Sequence, residues 1–263
     1  MKIVGIVNVT PDSFSDGGHH PSPAAAIEHG LRLVDQGADV LDIGGESTRP
    51  GASPVAFQEE CDRVLPVIEG LSARTSVPLS IDTRKPEVAR GAIGAGARIW
   101  NDVSALSAHG ALACAAELGC LIILMHMKGD PATMQASPRY RDVTAEVFTH
   151  LKARIDACVQ TGVDRGKIIA DPGIGFGKTL EHNLTLLRDL HVFRRLNVPL
   201  MLGASRKRFI AGVDRDTGAA DRVGGSLAAA LRGEEAGYDY VRVHDVAETR
   251  QALAVARAMN SYP

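Results

Sequence analysis

The chain has 263 residues, of which 45% are hydrophobic and 23% are charged, the composition of an ordinary globular protein. Its 29 basic and 31 acidic residues give a net charge of −2, which excludes the overall positive field typical of proteins that bind nucleic acid or anionic membranes. The four cysteines form no CxxC pair, so we expect buried thiols and a cytoplasmic protein rather than zinc or disulfides.

The first segment, MKIVGIVNVT, predicts a β-strand that ends near Asn8. Polar residues interrupt its apolar run long before a signal peptide or a membrane span is complete. We therefore expect no membrane partner.

One unit recurs along the rest of the chain: an amphipathic stretch, a glycine, a short apolar run and then a polar residue. The glycines predict helix C-termini, and the uniformly apolar runs predict buried parallel strands. The glycines of the five clearest units are Gly37, Gly96, Gly119, Gly162 and Gly237. With the segments KIVGIVNV, VPLSIDT and VPLMLGAS, the pattern predicts eight strands that end near Asn8, Asp42, Asp82, Asn101, His126, Asp171, Ser205 and His244.

Eight strand–helix units in a chain of roughly 250 residues predict an α/β fold, a (β/α)8 TIM barrel, with residues 1–263 in one domain. An open doubly wound sheet is the alternative. Such a sheet usually has fewer strands and a GxGxxG loop after the first one, whereas TPDSFSDGG follows the first strand here.

The predicted strand ends describe one pocket, because the active site of such a barrel lies at the C-terminal ends of its strands. Three carboxylates and an amide would lie together at its floor, where like charges repel unless a ligand donates hydrogen bonds to them. These residues are Asp42, Asp82, Asn101 and Asp171. Around the rim, cationic groups suited to phosphate follow, namely Arg49, Arg206, Lys207, Arg242 and His244.

This arrangement implies a bipolar ligand. Its inner end would be a flat heterocycle rich in N–H groups, such as a 2-aminopyrimidinone, and its outer end would carry phosphate. Met125 and Phe176 are candidate apolar walls for the ring.

The stretch DPGIGFGKT resembles a Walker A loop but has Pro172 where the first glycine should be. It also follows the sixth predicted strand, whereas Walker A loops follow the first. We interpret it as a glycine loop that passes close to the ligand, with Asp171 as its functional end. Lys178 is then expected to be a surface or helix-start charge, and His126 a packed histidine rather than a ligand.

Eight motifs in order, one for each predicted strand, resemble those of the dihydropteroate synthase family. They are MKIVGIVNVTPDSFSDGG, DIGGESTRPGA, SIDT, NDVSAL, MHMKGDPATMQ, DPGIGFGK, GASRK and VRVHDV. The resemblance implies a transferase of folate biosynthesis that joins 6-hydroxymethyl-7,8-dihydropterin pyrophosphate to 4-aminobenzoate and releases pyrophosphate. It also implies a homodimer and a target of sulfonamides, which mimic 4-aminobenzoate.

The resemblance assigns a role to each candidate residue. Asp82, Asn101, Asp171 and Lys207 would hold the pterin, with Asp42 beside it; Thr48, Arg49, Arg242 and His244 would hold the pyrophosphate; Pro50, Phe176 and Lys207 would surround 4-aminobenzoate. Asn8 is the implied contact of the cofactor, Mg²⁺. Catalysis would be electrostatic, with Asp42, Asp82, Lys207 and Arg49 stabilising the charges that separate as the C–O bond breaks.

Two other functions fit part of the sequence. The pterin-binding barrel of a methyltetrahydrofolate–corrinoid methyltransferase shares the Asp/Asn floor but has no use for TPDSFSDGG, STRPG or the lysine of SRK. A non-catalytic homologue would more readily have lost pyrophosphate residues. The chain departs from many relatives at Arg208, where they carry serine near the expected aminobenzoate carboxylate.

Overall fold

A computed structural model of the protein describes residues 1–10, 22–47, 53–130 and 133–261. Within these ranges, eight parallel strands alternate with α-helices. The strands are β1 (Lys2–Asn8), β2 (Val40–Gly44), β3 (Leu79–Asp82), β4 (Ile99–Asp102), β5 (Leu121–Met125), β6 (Ile168–Asp171), β7 (Met201–Leu202) and β8 (Tyr240–Val243). The helices are α1 (Pro23–Asp35), α2 (Phe57–Ser72), α3 (Pro86–Gly94), α4 (Ala111–Leu118), α5 (Val143–Gln160), α6 (Leu180–Arg188), α7 (Arg208–Val213), α8 (Val223–Glu235) and α9 (Val246–Ser261). None of the helices in these ranges has the length and apolar character needed to span a membrane.

The strands form one parallel sheet in the order β6-β5-β4-β3-β2-β1-β8-β7. The first strand therefore lies between the second and the last. A single bridge between Ala170 and Leu200 brings β6 next to β7. The sheet thus curls into a nearly closed barrel surrounded by helices, which confirms the predicted (β/α)8 fold.

The interior of the barrel changes character along its axis. Its N-terminal end is filled by a small cluster of buried apolar side chains, to which β1, β2, β4, β5, β6 and β7 contribute Val4, Val40, Ile99, Ile123, Ile169 and Met201. Polar side chains follow toward the C-terminal end, beginning with the in-register pair Asp42 and Ser80. Because apolar packing fills one end, the polar end is the one available to a ligand.

The glycines predicted at helix C-termini all have a left-handed backbone, with φ between 57° at Gly119 and 118° at Gly96. After α1, the N–H of Gly37 donates to Val34 O and the next N–H donates to Leu33 O, which satisfies carbonyls at the helix end. These turns deliver the chain from each helix into the next strand. The four cysteines are free thiols, as predicted, and three of them are buried.

Candidate active site at the C-terminal end of the barrel

The predicted floor residues converge, but at two depths. Asp82 and Asn101 are paired in register on β3 and β4, and Asp171 is the last residue of β6. Asp42 does not end its strand as predicted, because β2 continues to Gly44, which pairs with Asp82. Asp42 therefore lies one layer deeper in the barrel and is fully buried.

Arg242 lies on the floor rather than at the rim where we expected it. Its Nε donates to Asp42 Oδ2 at 2.6 Å, and its Nη2 donates to Asp82 Oδ2 at 2.9 Å. One guanidinium thus bridges the two carboxylates, the arrangement that a fork of N–H donors favours. This pairing is what allows two aspartates to share a buried site.

Two hydrogen-bond acceptors on the floor have no partner among the described residues. Asn101 Nδ2 donates to Asp42 Oδ2 at 3.0 Å. Asp42 Oδ1 and Asn101 Oδ1 are buried and have no hydrogen-bond partner within the described structure. Because buried acceptors are nearly always paired, these atoms indicate a ligand or water that brings N–H or O–H groups. This matches the predicted heterocycle.

Burial shifts the pKa values of two floor carboxyl groups. It raises the pKa of Asp82 to about 7, with Arg242 opposing the shift and Asp42 adding to it. Burial also raises the pKa of Asp171, against the attraction of Lys207. Asp171 Oδ1 accepts a hydrogen bond of 2.6 Å from Gly173 N, which orients the carboxyl group. The protonation state of both carboxyl groups is therefore sensitive to a ligand that donates hydrogen bonds to them.

Lys207 connects the floor to the predicted ring-binding walls. Its ammonium donates to Ile174 O and lies 4.5 Å from the ring centroid of Phe176. Burial lowers the pKa of Lys207 to about 8, and the charge of Asp171 opposes this shift. Met125, the other predicted wall, is buried beside Gly173.

Two side-chain pairs join the loop after β7 to the end of β8. Ser205 Oγ accepts from His244 N at 3.2 Å and lies 3.0 Å from His244 Nδ1. Arg206 Nε donates to Asp245 at 3.0 Å. The guanidinium that was predicted to bind phosphate is therefore paired with a carboxylate in this structure, and its role toward phosphate stays a prediction.

Lys178 is buried, with 3% of its surface exposed, so the prediction of a surface charge is wrong. It precedes Thr179, the N-cap residue of α6, yet its side chain turns inward and contacts His126 Nδ1 at 2.9 Å. His126 is packed as predicted, with its ring centroid 4.9 Å from that of His150 in an edge-to-face arrangement. The sequence signal that could have predicted this burial is a lysine directly after three alternating glycines, in GIGFGK.

Three predicted site residues, Thr48, Arg49 and Pro50, lie outside the described residues. Glu46, which lies shortly before them in the chain, belongs to a charge cluster that the sequence did not predict. Glu46 accepts hydrogen bonds from Arg84 and Lys85, and Lys85 also pairs with the fully buried Glu60. No spacing rule in the sequence would have brought these four residues together.

Asn8 ends β1 next to the floor. A Cβ atom placed on Gly44 would lie 4.0 Å from Asn8 Oδ1 and 3.8 Å from Asp82 Oδ2, so both oxygens face the same small space. The described residues contain no group of three or more His, Cys, Asp or Glu side chains that could hold a metal ion. The two oxygens of Asn8 and Asp82 nevertheless fit Mg²⁺, which usually takes few protein oxygens and completes its coordination with water and substrate phosphates.

The barrel fold and the polar floor place the chain in the class of pterin binding enzymes. The family model of pterin binding enzymes matches residues 4–244, which include the described floor. Among curated relatives, the dihydropteroate synthase of Escherichia coli strain K12 is 48% identical over 256 residues, covering 97% of this chain and 90% of that protein.

Solved structures agree with the curated relatives. The dihydropteroate synthase of Xanthomonas albilineans with 4-aminobenzoic acid is 50% identical, with a TM-score of 0.94 over 100% of this chain and 94% of that one. The Yersinia pestis dihydropteroate synthase with a sulfonamide drug is 44% identical, with a TM-score of 0.94 over 99% and 94%. The chain belongs to the dihydropteroate synthase family of pterin-binding transferases, which confirms the predicted family and reaction class.

Proposed function

We propose that the chain catalyses the dihydropteroate synthase reaction of folate biosynthesis. In this reaction, 6-hydroxymethyl-7,8-dihydropterin pyrophosphate and 4-aminobenzoate form 7,8-dihydropteroate and pyrophosphate. The observation that carries the proposal is the buried floor of carboxylate and amide acceptors beside Lys207, in a chain of this family.

The pterin would bind with its N–H edge toward the floor. Asp171, Asp82 and Asn101 supply acceptors for the 2-amino and ring N–H groups, with Asp42 beneath them. Lys207 supplies a donor for the pterin's ring acceptors. Met125 and Phe176 pack on the ring.

Catalysis consists of charge stabilisation. As the C–O bond breaks, its electron pair leaves with the pyrophosphate, and positive charge develops on the pterin methylene carbon. Asp82 and Asp42 stabilise that carbon, while Thr48, Arg49 and His244 hold the leaving group. The nitrogen of 4-aminobenzoate, bound between Pro50, Phe176 and Lys207, attacks the methylene carbon and loses a proton to water.

Arg242 has a double role in this proposal. In this structure it forms ion pairs with Asp42 and Asp82. To reach the pyrophosphate it has to release at least one carboxylate, whose hydrogen bonds the pterin can replace. Substrate binding would therefore replace ion pairs between Arg242 and the carboxylates by hydrogen bonds from the pterin to the carboxylates and from Arg242 to the pyrophosphate.

Mg²⁺ would be held by Asn8 together with substrate oxygens. When bound, it would neutralise charge on the pyrophosphate and so favour its departure. Asp82 Oδ2 faces the same space as Asn8 Oδ1 and is a further candidate contact.

The proposed homodimer would use the outer faces of α6 and α7. Leu180, Leu184 and Val213 expose 39%, 42% and 61% of their surfaces there, which is high for large apolar side chains. Light scattering on the purified protein tests this assembly, with Leu184→Glu expected to favour the monomer. The proposal of a cytoplasmic protein rests on the free thiols.

One assay tests the reaction: formation of 7,8-dihydropteroate from the two substrates with Mg²⁺. A sulfonamide should compete with 4-aminobenzoate. Pterin binding without product would favour the non-catalytic homologue instead, and methyl transfer from methyltetrahydrofolate to a corrinoid would favour the methyltransferase.

A further inference from the structure

The loop between β6 and α6, residues 173–177, has an unusual pattern of hydrogen bonds. Each of its five carbonyl oxygens accepts from a side chain, whereas loop carbonyls at a surface commonly face water. In chain order from Gly173 O to Gly177 O, the donors are Lys178, Lys207, Gln135, Lys178 again and Tyr140. We call residues 173–177 the glycine loop.

Lys178 donates to two of these five carbonyls, whereas each of the other donors reaches one. Its Nζ donates to Gly173 O at 2.8 Å and to Phe176 O at 3.0 Å, and it lies 2.9 Å from His126 Nδ1. None of the salt bridges between described residues includes Lys178. Burial lowers its pKa well below the ordinary value, and the nearby charge of Lys207 adds to the shift.

Such burial is costly, and packing alone does not require it. A buried cation without an anion is unfavourable unless several dipoles surround it. A methionine side chain of similar length would fill the same space at a lower cost. The placement of an amine here therefore indicates a role for its hydrogen bonds.

The backbone of the glycine loop is shaped to meet this amine. Gly173 and Gly177 have φ values of 69° and 63°, and a Cβ at these positions would lie 2.0 Å from His126 O and 2.2 Å from Lys128 O. Only glycine lets the loop lie this close to the end of β5. The loop then covers Lys178 and directs its Gly173 N and Ile174 O toward Asp171 and Lys207.

We propose that Lys178 is a positioning residue for the reaction, because its amine donates to the carbonyls of Gly173 and Phe176 and holds them inward. This leaves Ile174 O directed at Lys207 and Gly173 N directed at Asp171. Lys178 touches no substrate in this scheme, and the inference rests on the proposed function of the site. It extends that function by naming the residue that sets the geometry of both floor groups.

The test compares Lys178→Met with Lys167→Met. Lys167 donates to Gly119 O at the end of α4, remote from the floor, so its variant is a matched control. For Lys178→Met we expect kcat/KM for the pterin pyrophosphate to fall by about 100-fold, with a raised KM, because small misplacements of catalytic groups have effects of that size. Lys167→Met should retain both constants.

A pH profile separates positioning from loss of folding. Lys207 faces Asp171, Arg242 and Asp82, which the substitution leaves in place. If the glycine loop shifts, the Lys207 ammonium loses its acceptor at Ile174, so its pKa falls below about 8. The alkaline limb of kcat/KM should therefore move to lower pH in Lys178→Met, an effect that a reduced folded fraction does not produce.

Tyr140→Phe keeps the inference testable if Lys178→Met does not fold. It removes the donor to Gly177 O alone, so a rise in KM of about threefold to tenfold is expected. Unchanged KM, kcat and pH profile in a folded Lys178→Met, or in Tyr140→Phe where the former does not fold, would overturn the inference. An inactive wild-type protein would instead overturn the proposed function, and pterin calorimetry on the same variants would then decide the inference.

Discussion

Arg242 Nε and Asp42 Oδ2 are 2.6 Å apart although the two residues are separated by 200 positions in the chain. Asp42 is fully buried, and the same guanidinium also reaches Asp82. The stability of the floor and its affinity for substrate therefore depend on one cation from the last strand.

Arg242→Met should destabilise the protein by about 3 kcal/mol at pH 8, because it leaves two buried carboxyl groups without their partner. Without Arg242, the pKa of Asp82 rises further above its ordinary value. The folded state then binds more protons than the unfolded state, so stability falls as the pH rises. Urea unfolding at pH 6 and pH 8 measures the difference, and the loss should be smaller at pH 6.

The exposed Arg90, which pairs with Glu117 on the surface, provides the control for that experiment. Arg90→Met should leave the unfolding midpoint nearly unchanged at both pH values. An equal effect of Arg242→Met at pH 6 and pH 8 would contradict the pairing with Asp82.

The pH dependence of kcat/KM should be bell-shaped with its maximum between pH 7 and pH 8. Asp82, with a pKa of about 7, accepts from the pterin only when ionised, so activity falls below that pH. Lys207, with a pKa of about 8, has a positive charge to stabilise the substrate only below that pH, so activity falls above it. Steady-state kinetics from about pH 5 to about pH 10, an interval of about two units on each side of these pKa values, measures both limbs. Lys207→Arg should remove the alkaline limb, since guanidinium stays charged; a limb that persists in this variant belongs to another group.

Asp171→Asn should weaken pterin binding by about 1–3 kcal/mol, or roughly 5-fold to 150-fold in Kd, because an amide offers one acceptor where the carboxylate offers two. Calorimetry with the pterin measures the loss, and circular dichroism should show an unchanged fold. Asp62→Asn, on the exposed face of α2, is the matched control. Equal affinity in the two variants would mean that Asp171 does not contact the pterin.

Arg154→Met should loosen the loop that follows Asn101. Arg154 donates at 2.8 Å to the carbonyls of both Ala105 and Leu106, whose φ values of 54° and 58° are unfavourable for residues other than glycine. Losing these hydrogen bonds should destabilise the fold by about 1–3 kcal/mol and weaken pterin binding as well. Urea unfolding and calorimetry measure the two effects. Lys152→Met on the same helix, which removes an exposed pair with Asp156, should change neither.

The sequence predicts the order and number of strands because each buried parallel strand is a short apolar run that ends at a polar residue. Asp82, Asn101 and Asp171 follow this rule and lie where it places them. Asp42 does not, because its depth depends on the register between β2 and β3, which local patterns do not encode.

Side-chain pairing across the barrel was the least predictable property. Arg206 and Arg242 carry the same charge and both lie near the predicted strand ends, yet one pairs with Asp245 and the other with two floor aspartates. Lys178 was misassigned for a related reason. Its burial depends on how a glycine-rich backbone folds back over it, and the tertiary structure decides that path.

The position of β1 between β2 and β8 also sets the order in which the barrel can form on the ribosome. Asp82 and Asp42 are synthesised 160 and 200 residues before Arg242. At about 5–20 residues per second, that interval lasts on the order of 10 to 40 s. Throughout it, the two aspartates lack their cation, and β1 exposes the edge that later pairs with β8. A nascent chain that stalls before Tyr240 therefore presents an open sheet edge, the kind of surface that chaperones bind.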